Sequence, residues 1–270
     1  MPPLWIDHSL WILNGSLRLL SKERSLSPRN GGAEGQEQSI VVSNTVDDIF
    51  LRLQEALALA PHGNLRMDGL HIHVGSPWVR YGIVPWQDGL KNNADWSAYA
   101  RIVLGQQFDT DAQGWHVCVA AGGYGAPRVA ASIDEVLYQT TVSFAKSQRL
   151  QIRQFDTALA STVDMFSGRL SAAEFALLVL ESKYASYAIY RDAEWQGVGS
   201  FPIAHERPNG VQLAAVLRDA AMLSSSALPS QVYLSSYGQL PVDLQGMTGF
   251  TLHWLGLSFP MNKVPGQAAS

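Results

Sequence analysis

The chain has 270 residues, room for one large domain or two of ordinary size, and 47% of them are hydrophobic, enough to bury a sizeable core. Only 16% are charged, against about 25% in an average soluble domain, which fits either a surface partly covered by partners or a well-packed domain standing alone. The net charge is −4 and no dense Lys/Arg block occurs, which excludes a nucleic-acid footprint.

In chain order, LWIDHSLWIL (Leu4–Leu13) and SLRLL (Ser16–Leu20) flank Asn14-Gly15, and two such residues between strand-like runs predict a hairpin. Residues 25–39 (SLSPRNGGAEGQEQS) are polar and glycine-rich and read as a loop. A helix follows, with Val46, Ile49, Phe50, Leu53 and Leu57 on one face, Asn44 or Thr45 as N-cap, and Asp47 and Asp48 in its first turn. LHIHVG (Leu70–Gly75) and WVRYGIVPW (Trp78–Trp86) read as strands joined at Ser76-Pro77, and Trp96, Tyr99, Ala100 and Val103 mark a second helix. GWHVCVAA (Gly114–Ala121) is again a strand. Gly122-Gly123-Tyr124-Gly125 after it reads as a hairpin turn rather than a nucleotide loop, because Pro127 and another apolar run follow instead of a helix.

A third helix is expected to open at Ser132 with Glu135 three residues on, the pattern of a capping box, and to bury Ile133, Val136, Leu137 and Phe144. Asp134 and Glu135 then favour its dipole. RLQIRQF (Arg149–Phe155) is a strand, and a fourth helix carries Ala158, Leu159, Val163 and Phe166 with Gly168 just past its end. A break at Ser167–Ala173 divides the chain into halves, 1–168 and 169–270. The second half opens with three apolar runs, Phe175–Glu181, Tyr184–Arg191 and Glu194–Phe201. A helical segment (Val211–Leu223) and the strand-like QVYLSS (Gln231–Ser236) and FTLHWL (Phe250–Leu255) follow, giving the order β-β-β-α-β-β.

Cys118 is the single cysteine, so no disulfide forms within the chain, which fits a reducing compartment, and it is expected as a small buried hydrophobe rather than a nucleophile. The N-terminus lacks the basic, apolar and small-residue succession of a secretory signal, and no stretch reaches the about 18 uninterrupted apolar residues of a membrane span. A soluble, cytoplasmic chain is the expectation.

The β-β-β-α-β-β order resembles the repeating half of the ribonuclease-H and actin-like fold, and the first half resembles it in element order alone. Within that superfamily the texture is most similar to the cytoplasmic assembly-platform proteins of type II secretion and type IV pilus machines, GspL-like and PilM-like. WVRYGIVPWQDGL resembles their strand running into a Pro-Trp step. GWHVCVA, the helix ASIDEVLYQTTVSFAKSQ and the strand RLQIRQFD resemble the next β-α-β unit, and FALLVLESKYASYAIYRDAEWQGVGSF resembles the opening hairpins of the second half. The likeness spans Trp78 to Leu255 and rests on apolar patterns, not on a catalytic signature. It implies an α/β chain of two ribonuclease-H-like halves of an actin-like ATPase fold, with mixed sheets flanked by helices.

Active members of the superfamily hold ATP phosphates in the first two tight turns, where glycine lets backbone N–H groups approach the anion and an Asp holds Mg²⁺. An Asp-x-Gly is wanted in the first turn, and neither Asp7-His8-Ser9 nor Leu13-Asn14-Gly15 fits. The second turn, Glu181-Ser182-Lys183-Tyr184, has no glycine, and Trp254-Leu255-Gly256-Leu257 lacks the paired glycines of an adenosine site. The L-type secretion proteins also lack usable sites. They continue into a membrane span, whereas this sequence ends at KVPGQAAS, so a truncated or stand-alone form is expected.

Two further constellations stand out. His71-Ile72-His73 sets two imidazoles on one strand face, a known metal arrangement that needs a third ligand, with His116, His205 and His253 available; chance placement on a solvated face is the favoured reading. Trp86, Trp96 and Tyr99 flank the polar Gln87–Asp95, an arrangement that suits partner capture as well as core packing. The resemblance and the departing turns together imply a non-catalytic scaffold without cofactor or metal, cytoplasmic and peripheral to the inner membrane. It would link a motor ATPase to inner-membrane assembly-platform proteins through Trp86, Trp96 and Tyr99, with homo-oligomerisation left open. The alternatives are an ATP-binding actin-like pilus assembly protein and a metal-dependent hydrolase using His71 and His73.

Overall fold

A computed structural model of the chain describes residues 5–24, 35–63, 68–204, 208–238, 244 and 246–259. The Asn14-Gly15 hairpin joins β1 (Trp5–Leu13) to β2 (Ser16–Arg24), paired antiparallel from Leu13↔Ser16 to Trp5↔Arg24. β3 (Gln36–Val41) adds to β2, and its first four residues fall in the 25–39 stretch expected to be a loop, of which 25–34 lie outside the described residues. It is a polar edge strand that buries no side chain, so it carries no apolar alternation to read. Thr45 caps α1 (Val46–Leu59) by accepting the Asp48 N–H at 3.4 Å, and the helix buries Ile49, Phe50, Leu53, Ala56 and Leu57.

After β4 (Gly69–Val74) the chain builds a separate unit from β5 (Val79–Val84), α2 (Asn93–Gln107), β6 (Trp115–Val119) and β7 (Arg128–Asp134), its sheet ordered β5-β7-β6. It then returns through α3 (Glu135–Ser147) to β8 (Gln151–Thr157) and α4 (Ala158–Phe166). The first main sheet is ordered β3-β2-β1-β4-β8, with β1, β4 and β8 parallel. The remainder repeats the plan. β9 (Phe175–Glu181), β10 (Tyr184–Arg191), β11 (Glu194–Pro202), α5 (Gly210–Leu223), β12 (Gln231–Ser236) and β13 (Thr251–Leu257) form a second five-stranded sheet ordered β11-β10-β9-β12-β13. In each sheet an antiparallel meander of three strands is followed by two parallel ones. This mixed α/β arrangement, repeated with its strand order intact, is the actin-like ATPase fold.

β9 shows why its sequence reads as an unbroken apolar run. All seven of its residues are buried. Phe175, Leu177 and Val179 join the core shared with the first sheet, while Ala176, Leu178 and Leu180 pack under α5 with Leu213 and Leu217. A strand covered on both faces needs apolar residues at every position. Burying each such leucine contributes about 1.5–3 kcal/mol. A third core, of Val84, Trp96, Ala100, Leu104, Trp115 and Val117, holds the separate unit together.

Two expectations fail in that unit for local reasons. Ser132 does not open a helix: it is buried within β7, paired with Arg80 and Val117, and Asp134 is the N-cap, its carboxylate accepting the Val136 N–H at 2.8 Å. Cys118 is exposed, not buried. Side chains alternate along β6, so Trp115 and Val117 enter the core under α2 while His116 and Cys118 face away.

Candidate functional site

The carboxyl end of β4 meets the carboxyl end of β9, and one carboxylate fills the junction. Glu181 is 0% exposed. Its Oε2 accepts the backbone N–H of Ser76 at 2.7 Å, and its Oε1 accepts the Ser186 hydroxyl at 2.7 Å. The Ser76 and Ser186 hydroxyls lie 3.3 Å apart and close the triangle. Burial pushes the Glu181 carboxyl up to about 7 against the two hydrogen bonds, from Ser186 and Ser76, that favour its charged form. Gly75 sits so close that a Cβ there would overlap Glu181 Oε2. The turn that carries no glycine for a phosphate thus carries a buried acid that already uses a backbone donor.

The other turns are equally engaged. Asp7-His8-Ser9 lies in the middle of β1, away from any turn, and Leu13-Asn14-Gly15 forms the β1–β2 turn itself. There the Gly15 N–H donates to Asn44 Oδ1 at 2.8 Å, and Asn44 Nδ2 donates to Asn14 Oδ1 at 2.6 Å. Trp254-Leu255-Gly256-Leu257 lies within β13, where the Arg169 guanidinium donates to the carbonyls of Leu255 and, at 2.8 Å, Trp254.

A cavity of about 450 Å³ opens where the separate unit, the start of α4 and β10–β11 converge. Val129, Ala131, Phe155, Leu159 and Trp195 make it largely apolar, and His116, Cys118, Asp156 and Asp164 supply its polar wall. The Tyr81 hydroxyl is buried in its wall, and that burial pushes its pKa up. Although Cys118 as a residue is exposed, the partial desolvation of its thiol against the cavity wall, and after it the charge of Asp156, pushes the thiol up, so it stays protonated near neutral pH rather than becoming a nucleophile.

His71 and His73 do not share a solvated face. His73 is buried, stacked on Trp11 at 5.0 Å and bonded to Ser161 Oγ, while His71 bonds Gln154 Oε1 at 3.1 Å. No third ligand joins them among the described residues. His116 stacks on Tyr138 at 3.6 Å, His253 bonds Gln231 Oε1 at 2.7 Å, and His205 lies outside the described residues.

The aromatic group comes together with additions the sequence did not signal. Trp96 is buried in the third core, whereas Trp86 and Tyr99 are half-buried against it. Tyr124, from the β6–β7 hairpin turn, stands 90% exposed with its ring 4.9 Å from Trp86, and Arg128 covers Trp96 at 4.0 Å. The Gln87–Asp95 segment between them is tied down by Asn92, which accepts the Asp95 N–H at 2.9 Å as the N-cap of α2.

Comparison with solved structures agrees with this topology at low sequence identity. A Bacteroides thetaiotaomicron VPI-5482 protein of actin-like ATPase fold and unknown function superposes with a TM-score of 0.57 at 10% identity, over 88% of this chain and 84% of that one. The cytoplasmic domain of EpsL, an inner-membrane component of the Vibrio cholerae type II secretion system, gives 0.57 at 8% identity over 94% and 91%. A chain of the PilM–PilN type IV pilus biogenesis complex gives 0.59 at 13% identity over 94% and 88%. No protein-family model matches the sequence, and no curated protein matches it.

Proposed function

We propose that this actin-like chain is a non-catalytic scaffold of a secretion or pilus-type assembly platform, organised as halves 1–168 and 169–270. The observation that carries the reading is the buried Glu181 carboxylate on the Ser76 N–H. A phosphate at that turn would have to displace an acid that is wholly enclosed and doubly hydrogen-bonded, and would meet its charge at short range. Glycine is missing from that turn, and the Gly15 amide of the first is spent on Asn44. Two of the similar structures belong, by their descriptions, to the type II secretion and type IV pilus machines, which supports the platform as its setting. In this reading the chain joins an inner-membrane assembly protein to a motor ATPase at the surface formed by Trp86, Tyr99 and Tyr124. Among the described residues no helix is long and apolar enough to cross a membrane.

Isothermal titration with Mg-ATP tests it. No heat of binding is expected at sites tighter than about 100 μM, roughly −5.5 kcal/mol. A tighter site would replace the scaffold reading with that of an ATP-binding actin-like pilus assembly protein.

A further inference from the structure

In the half of β1 away from its hairpin, three side chains converge that the scaffold does not use. His8 is 0% exposed in mid-strand. His62 and Asp68 come from the connection between α1 and β4, with the Asp68 side chain 6% exposed and that of His62 58%. One ligand atom from each of the three lies within 4.8 Å of the others.

The details of hydrogen bonding point outward from each residue to a common centre. His8 Nδ1 lies 2.9 Å from Ser21 Oγ, its cross-strand partner. Among the described residues, His8 Nε2 is buried with no hydrogen-bond partner. An imidazole that donates Nδ1–H to a fixed oxygen presents a lone pair at Nε2, which is how ligating histidines are commonly oriented. Leaving that nitrogen buried and unused is costly, so it needs an occupant. Asp68 is braced in the same way. Its Oδ1 accepts the Ile6 N–H at 2.7 Å, and the Gly63 N–H reaches both oxygens at 3.2 Å. Its Oδ2 keeps acceptor capacity facing His62 Nδ1, 3.5 Å away.

We infer that His8 Nε2, Asp68 Oδ2 and a ring nitrogen of His62 form a divalent transition-metal site, with zinc as the metal its donor set suits best. Two imidazoles and one carboxylate are zinc's common protein ligands, with a water completing the tetrahedron. Bonds of about 2.1 Å separate tetrahedral ligands by about 3.4 Å, so the cluster must tighten by roughly an ångström. The exposed His62 ring is the member free to supply that movement. The His71–His73 pair, by contrast, has both Nδ1 atoms committed to neighbours, and the carboxylate beside it, Asp156, already accepts from Gln154 Nε2. Bound zinc would clamp the α1–β4 connection onto β1, a role independent of nucleotide binding.

The test is zinc titration of the full chain after exhaustive dialysis against a chelator, followed calorimetrically and by the visible absorption of Co²⁺ as a tetrahedral probe. One equivalent of Zn²⁺ is expected to bind with a dissociation constant of about 1 μM or tighter. His62→Ala, an exposed substitution, should weaken binding at least tenfold and remove the tetrahedral Co²⁺ spectrum while circular dichroism stays unchanged. Ser21→Ala, which leaves every ligand in place, should weaken it about 10- to 100-fold, as loss of an orienting partner does. His71→Ala should bind as wild type. No stoichiometric uptake at about 100 μM Zn²⁺, equal uptake by wild type and His62→Ala, or uptake lost in His71→Ala instead would each overturn the assignment.

Discussion

Glu181 Oε2 accepts the backbone N–H of Ser76 at 2.7 Å, across 105 positions of sequence. The contact closes the space between the two parallel-strand ends, because Gly75 beside it has no room for a side chain. A charged group held there from solvent is costly, and the pair of serine donors offsets only part of that cost. The same acid therefore shapes both the proposed loss of nucleotide chemistry and the stability of the junction.

Glu181 makes stability depend on pH with a definite sign. Its folded pKa, raised to about 7 chiefly by burial, exceeds its unfolded value of 4.5, so the folded state binds more protons between those limits. Stability is then greatest below about pH 4.5 as far as this group is concerned, and falls as pH rises towards about 7. Glu181→Gln keeps the acceptor for Ser76 without the charge. Urea unfolding at several pH values should show the variant more stable than wild type above pH 7 by an amount on the order of a few kcal/mol. The difference should shrink to near zero in acid. Equal stability at pH 8 would show the carboxylate to be solvated.

His73 imposes the opposite slope. Burial lowers its imidazole to about 4, with Asp156 opposing and His71 assisting the shift. The folded pKa lies below the unfolded 6.5, so the stability it protects is full above about 6.5 and is lost as pH falls towards 4. Between about pH 4.5 and 6.5 the two slopes oppose each other and largely cancel, so together the two groups give a plateau there, with stability lost on either side. His73→Gln, which retains a polar group for Ser161, should flatten the acid side of the profile measured by thermal unfolding from pH 4 to 7. An unchanged acid limb would mean that His73 is protonated without penalty in the folded state.

Gly75→Ala is expected to destabilise the chain by about 1–3 kcal/mol, since the added methyl must push Glu181 or Leu13 from a packed position. In the Glu181→Ala background the same substitution should cost clearly less, because the main obstacle is gone. Denaturant unfolding of the four chains of this cycle measures the coupling. Additive costs would mean that the junction yields elsewhere.

The repeated strand order was legible because β9, β10 and β12 are buried enough for apolar runs to mark them, and Asn14-Gly15 fixed the first hairpin. β3 was not, because an edge strand opening with the polar run QEQS and carrying apolar residues only at Ile40 and Val41 shows no alternation to read. The S-x-x-E at Ser132 looked like a cap because local sequence cannot say that Ser132 is already paired with Arg80 and Val117. At the site, missing glycine was readable at Glu181, but the contact with Ser76 was not. Nothing near either residue in sequence encodes a partner so distant. The same limit hid the His8, His62 and Asp68 cluster behind the more visible His71-Ile72-His73.

The aromatic surface separates into residues that hold the fold and residues free to bind. Trp96 is buried among Val84, Ala100, Leu104 and Trp115 under the Arg128 guanidinium. Trp96→Ala should therefore destabilise by about 3–5 kcal/mol and cannot by itself report on binding. Tyr124 is 90% exposed, so Tyr124→Ala should shift stability by no more than about 0.5 kcal/mol. If this face captures a segment of an inner-membrane assembly protein, Tyr124 is its most accessible anchor, with half-buried Trp86 behind it. A hot-spot aromatic contributes about 2 kcal/mol or more, so Tyr124→Ala should weaken capture about thirtyfold. The measurement is retention of platform proteins from the native host on immobilised wild-type and variant chains, then titration of the retained partner. Folded Tyr124→Ala and Trp86→Ala variants that both bind as wild type would move the partner surface away from this unit and into the C-terminal half.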